Sequence, residues 1–234
     1  MTPERLTRIK LVLAMRQPDL TIITDHVHKG RNLSAIVRTG DSAGVMKVHA
    51  IVPPGEAYRP YLGTAKGSHQ WVEMQRETSL TSCVSGLKEQ GFQVVAADLN
   101  ESACDYREVD YTRPTALLLG AERLGVSEEG KNLADRSVVI PMMGMVASLN
   151  VSVAAAVILA EAQRQRFLAG LYNESRIDEV EYQRLFFRWC HPRLAAFCDR
   201  REIVYPAVDD DGEILSTEQW RELVQQGTDR FQSK

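Results

Sequence analysis

Cysteine is scarce and scattered in this chain. The four, Cys83, Cys104, Cys190 and Cys198, form no CxxC pair. That argues against a zinc ribbon or a disulfide framework and favours a reducing, cytosolic setting. Long hydrophobic runs are missing too. A membrane span needs about 18 apolar residues, and the longest run here, Val151 to Ala160, is about half that. The first twenty residues, "MTPERLTRIKLVLAMRQPDL", carry charges throughout and lack the apolar core of a secretory signal. Together these absences predict a cytoplasmic protein with no membrane partner. A basic excess is also lacking. The net charge of −3 excludes a generic nucleic-acid coat protein, although a local basic face remains compatible with it.

Two nucleotide signatures are absent. In "LLLGAERLGVSEEG", Gly120 and Gly125 have P-loop spacing, but Val126-Ser127 stand where the phosphate-binding lysine belongs. ATP or GTP hydrolysis is therefore disfavoured. No GxGxxG opens the first strand–helix unit, so a dinucleotide fold has little support. A tight two-glycine turn after a strand explains most of this stretch. It leaves unexplained Glu122, a carboxylate at the strand's end.

What is present is an alternation. The 234 residues, 44% hydrophobic and 25% charged, suit one soluble domain with additions. Apolar strands are predicted at 20–24, 47–52, 93–99, 115–120 and 137–142, with a further candidate in "WVEMQ". Pro53-Pro54-Gly55 should halt the second. Helices are predicted at 3–16, 32–45, 79–90 and from about Leu149. Strands apolar on both faces and alternating with helices describe an α/β fold, a mostly parallel sheet covered on both sides. Ligands of such sheets bind at the carboxyl ends of the strands. Beyond Glu161 the chain reads as a charged, aromatic helical extension. The charge is uneven: residues 1–20 carry a net +2, and 206–234 a net −4.

Three stretches carry chemistry. Asn32 and Arg38 lie six apart on a predicted helix, nearly two turns, which is expected to put them roughly on one side; a cap and a surface arginine are the plain alternative. Glu122 follows the fourth strand. "PMMGMVAS" is a glycine-containing apolar loop expected to be buried, and such a loop satisfies its backbone only by wrapping something. Ser148 and Asn150 follow it. One should cap the next helix; we expect Ser148 to take that role and Asn150 to face a substrate.

Together "NLSAIVRTGDSAGV", "LLLGAERLGVS" and "VVIPMMGMVASLNVSVAAAVIL" resemble, in order, the three motifs of the SpoU branch of the SPOUT methyltransferases. Within it the chain is most similar to the enzymes that methylate the ribose of guanosine 18 in the tRNA D-loop. The resemblance covers roughly 20–162 as catalytic core, leaving 1–19 and 163–234 as helical extensions. It implies a deep trefoil knot in the C-terminal part of the core, a homodimer, and S-adenosyl-L-methionine as methyl donor with no metal. By the same resemblance Asn32, Arg38, Glu122, Ser148 and Asn150 form the catalytic set, and Ala97, Gly120, Ile140 and Leu149 line the cofactor pocket. With an RNA substrate implied, Arg5, Arg8, Lys10, Arg16, Arg164, Arg166 and Arg176 become candidates for phosphate contact, against the plain alternative of solvated helix faces. The alternatives are a ribose methyltransferase for rRNA, which the short flanks disfavour, one for another tRNA position, and a non-catalytic RNA-binding knot protein, which the five polar positions disfavour.

Overall fold

The computed structural model describes residues 1–52, 70–215, 218 and 220–222. The Pro53-Pro54-Gly55 stop and residues 223–234 of the acidic tail lie outside the described residues. The described residues hold seven strands: β1 (Leu20–Asp25), β2 (Lys47–Ile51), β3 (Glu73–Glu77), β4 (Gln93–Ala97), β5 (Cys104–Asp105), β6 (Thr115–Leu119) and β7 (Arg136–Val139). They form one sheet in the order β3-β2-β1-β6-β4-β7-β5, and every pairing is parallel. β1 and β6 are buried at every position, because a central parallel strand has helices on both sides.

Alternation along the strands sorts two cores. Leu20, Ile22, Leu117 and Leu119 face α2 (Gly30–Ser42) and α5 (Val151–Leu168), which contribute Ile36, Val37, Ala155, Ile158 and Leu159. Ile23, Val94, Ala116 and Leu118 face α3 (Leu80–Glu89) and α4 (Glu128–Leu133). The register then sets the site. Ala97 stands opposite both Leu119 and Val138, so the carboxyl ends of β4, β6 and β7 are level and their loops emerge side by side.

The five strong strands appear as β1, β2, β4, β6 and β7, and "WVEMQ" overlaps β3. The last predicted strand stops early, at Val139, and 140–150 is irregular. The two-residue β5 and six-residue α4 escaped prediction, since neither is long enough to show a period. The expected core boundary at 162 falls inside the continuous helix α5.

The chain forms two compact units. One is Arg16–Glu174, which holds the sheet; the other joins Met1–Met15 to Ser175–Lys234. In the second unit α1 (Pro3–Ala14) is capped by Thr2, whose Oγ1 accepts from the Arg5 amide at 3.3 Å. It packs on α6 (Glu179–Cys190), which is followed by α7 (Pro192–Arg201). Phe187 anchors this unit against His191 and Tyr205, with ring centroids at 5.3 and 4.8 Å.

Two arginines expected on phosphate-facing surfaces are instead internal. Arg166 is fully buried in the first unit. Its guanidinium donates to the carbonyls of Tyr111, Asp19 and Arg113, to Gln17 Oε1, and to Asp19 Oδ1 at 2.6 Å. Arg16 is also buried and donates to Asp41 Oδ1 at 2.7 Å and to the carbonyls of Val45 and Trp71. Charges this deep persist only when they are paired and hydrogen-bonded, as each guanidinium is to a carboxylate and to backbone carbonyls. Both are therefore structural and cannot reach RNA, which corrects the expectation.

Candidate active site

The level ends of β4, β6 and β7 open into a cavity of about 360 Å³. Its walls are the loops after these strands and the start of α5. Ala97, Gly120, Ile140 and Leu149, the four expected cofactor positions, all line it, with Glu122 and Ser148 at the same cavity.

Glycine at 120 is a steric necessity. A Cβ there would lie 2.0 Å from the Gly125 carbonyl carbon and 2.1 Å from the Val126 nitrogen. Without one, residues 120–125 fold back tightly, and the Gly125 amide donates to the Ala121 carbonyl at 2.9 Å. Gly125 itself takes φ +69°, a left-handed conformation that suits glycine. This fold-back turns the Glu122 side chain towards α2.

There the polar residues join. The Asn32 Nδ2 donates to Glu122 Oε1. The Asn150 Nδ2 donates to Asn32 Oδ1 at 3.3 Å. The Asn150 Oδ1 accepts from the Ser152 amide at 2.9 Å and from its hydroxyl at 2.7 Å. An ionised carboxylate only accepts, so Glu122 fixes which way the Asn32 amide faces. Three elements distant in sequence thus meet in one chain of hydrogen bonds.

Two expectations about this stretch change. Asn150, not Ser148, is the N-cap of α5, while Ser148 is exposed and lines the cavity. The loop expected to be buried is open: Met143 and Met145 are 94% and 103% exposed, and Gly144 has nothing near its Cβ position. Solvent reaches this loop and can hydrate its backbone.

Arg38 is exposed and has no hydrogen bond or ion pair among the described residues. Six residues of helix leave it about 120° out of register with Asn32, so the pair does not share one side as expected. Among the remaining basic candidates, Arg5 and Arg8 are exposed and Lys10 and Arg176 half-buried. Arg164 is exposed and holds Glu161 in a paired contact at 2.7 and 2.8 Å.

The sequence reading missed Asp98 and Lys131, which line the cavity with their charged groups 3.9 Å apart. Asp98 follows β4 directly, so its position at a strand's carboxyl end was the available signal. The cavity volume is that of a small-molecule site. Its apolar walls and backbone edges suit an adenosyl group, and the Asp98 carboxylate suits a cationic ligand.

Comparison with known proteins fixes the family. The SpoU rRNA Methylase family matches residues 19–160, and its C-terminal companion, SpoU, rRNA methylase, C-terminal, matches 164–217. This chain belongs to the SpoU methylase family.

One SpoU relative aligns over almost the whole length. A tRNA (guanosine(18)-2'-O)-methyltransferase of Escherichia coli K12 is 47% identical over 227 residues, 96% of this chain and 99% of that protein. The crystal structure of the A. aeolicus TrmH/SpoU tRNA modifying enzyme superposes with a TM-score of 0.75 at 42% identity, over 80% of this chain and 94% of that one. The SpoU methyltransferase AviRb from Streptomyces viridochromogenes, solved with AdoMet, gives a TM-score of 0.59 at 28% identity, over 66% and 59% of the two chains.

Proposed function

We propose that this SpoU-family chain transfers a methyl group from S-adenosyl-L-methionine to the ribose 2'-oxygen of guanosine 18 in tRNA, working in the cytoplasm as a homodimer. One observation carries the chemistry. The Glu122–Asn32–Asn150 relay meets, through Glu122, the cavity lined by Ala97, Gly120, Ile140 and Leu149. A site for a small cofactor and a set of oriented amides are thereby contiguous. The choice of nucleotide follows from the near full-length similarity to the Escherichia coli enzyme of that name.

S-adenosyl-L-methionine, when bound, supplies a methyl group made electrophilic by its sulfonium. Ala97, Gly120, Ile140 and Leu149 would hold it, largely through backbone groups. Asn150 and Asn32, held by Glu122, would orient the ribose so that its oxygen lies in line with the methyl carbon, a proximity effect. A guanidinium keeps its positive charge in proteins. Arg38 is thus better suited to clamp a phosphate and offset charge developing on the oxygen than to remove a proton. Its exposure and lack of an internal partner agree with that role.

Arg5, Arg8, Lys10, Arg164 and Arg176 remain the candidates for tRNA phosphates. Exposed Met143, Met145 and Val146, beside the cavity loops, support a second protomer docking there. The trefoil knot implied by the resemblance belongs to the same reading. Incubating the protein with labelled methyl donor and either unmodified tRNA or rRNA tests it. Label in tRNA alone is expected; label confined to rRNA would replace the substrate assignment.

A further inference from the structure

Away from the cavity, three side chains of different chemistry converge near the sheet edge. His49 lies on β2, Glu77 ends β3, the outermost strand, and Cys83 is on α3. The register explains the meeting. His49 pairs with Ile23, so it shares the sheet face on which Ile23, Ile51 and Cys83 pack. One ligating atom from each of the three lies within 4.8 Å of the other two, the one such group among the described residues. His49 Nδ1 and Glu77 Oε1 are 3.1 Å apart.

We propose that His49, Glu77 and Cys83 bind one zinc-class divalent cation, at a site separate from the methyl-transfer cavity. An imidazole nitrogen, a carboxylate oxygen and a sulfur are a borderline-soft donor set. Calcium and magnesium take oxygen ligands and are disfavoured. Zinc–ligand bonds of about 2.0–2.3 Å place tetrahedral donors about 3–4 Å apart. The His49–Glu77 pair already has that separation, and the sulfur needs only a small side-chain adjustment. The Glu77 side chain is 23% exposed, which leaves a way in, and water can complete the fourth position.

A His–Glu hydrogen bond alone would account for two of the residues, but not for a thiol beside their carboxylate. The sequence shows no ligand motif because the donors come from three elements and meet only through sheet register and the packing of α3 on the sheet.

The test is cobalt titration of the metal-stripped protein, followed by zinc. One equivalent of Co²⁺ should give a thiolate-to-cobalt charge-transfer band that zinc abolishes, and zinc should raise Tm. The band should vanish in Cys83→Ser and His49→Gln and persist in Cys104→Ser. Glu77→Gln, which keeps an acceptor for His49, should bind cobalt at least tenfold more weakly with an unchanged metal-free Tm. No band and no zinc-dependent Tm rise in the unaltered chain would overturn the proposal. So would a band that survives Cys83→Ser, or undiminished affinity in Glu77→Gln.

Discussion

Asn150 does two jobs with one amide. Its oxygen caps α5 and its nitrogen reaches Asn32. Asn150→Ala should lose both, lowering stability on the order of 1 kcal/mol and turnover much more. Asn150→Asp separates them, since the capping oxygen stays and the donor goes. Its melting temperature should match the unaltered chain while single-turnover methylation falls. Equal turnover would reduce Asn150 to a cap. Arg38→Ala should abolish methyl transfer and leave cofactor affinity unchanged, because Arg38 does not line the cavity; calorimetry with the methyl donor checks this. Arg166→Ala is a folding mutation. Removing one partner of a buried ion pair costs about 3–5 kcal/mol, so a large drop in denaturant midpoint is expected. At this scale the sequence showed residue types but not their surroundings. Arg164 and Arg166 read alike on paper, yet one is exposed and the other sealed under Tyr111 and Asp19.

At the scale of elements, the loop after β6 depends on Gly120. Gly120→Ala would drive a methyl group into the Gly125 and Val126 backbone, which cannot yield as a flexible side chain can. The sheet should survive, with circular dichroism near normal, while methyl-donor binding is lost. Normal binding would mean the fold-back does not shape the pocket. The central strands were legible because burial on both faces writes an unbroken apolar run. The capping residue was misplaced by two positions because Ser148 and Asn150 are both good caps, and only the backbone path selects Asn150. The Glu122–Asn32 bond, spanning 90 residues, was not readable from local pattern. Here the family resemblance named the residues and the structure supplied the contacts.

For the whole molecule, the flanks form one unit: Arg5 Nη2 donates to the Trp189 carbonyl, 184 residues away, at 3.5 Å. No local pattern announces such a pairing. It places basic α1 beside the C-terminal helices, so RNA affinity should respond to charge there. Arg8→Ala should flatten the salt dependence of tRNA binding by about 0.7–0.9 in log–log slope for each phosphate no longer neutralised, with methyl-donor affinity unchanged. An unaltered slope would return Arg8 to a merely solvated face. The proposed methyl acceptor is a single oxygen atom. That assignment is tested most directly by single-turnover methylation of two tRNAs that differ only at position 18, one with guanosine and one with 2'-deoxyguanosine. The first should gain one methyl group, mapped to that ribose, and the second none. Equal methylation of both would contradict it.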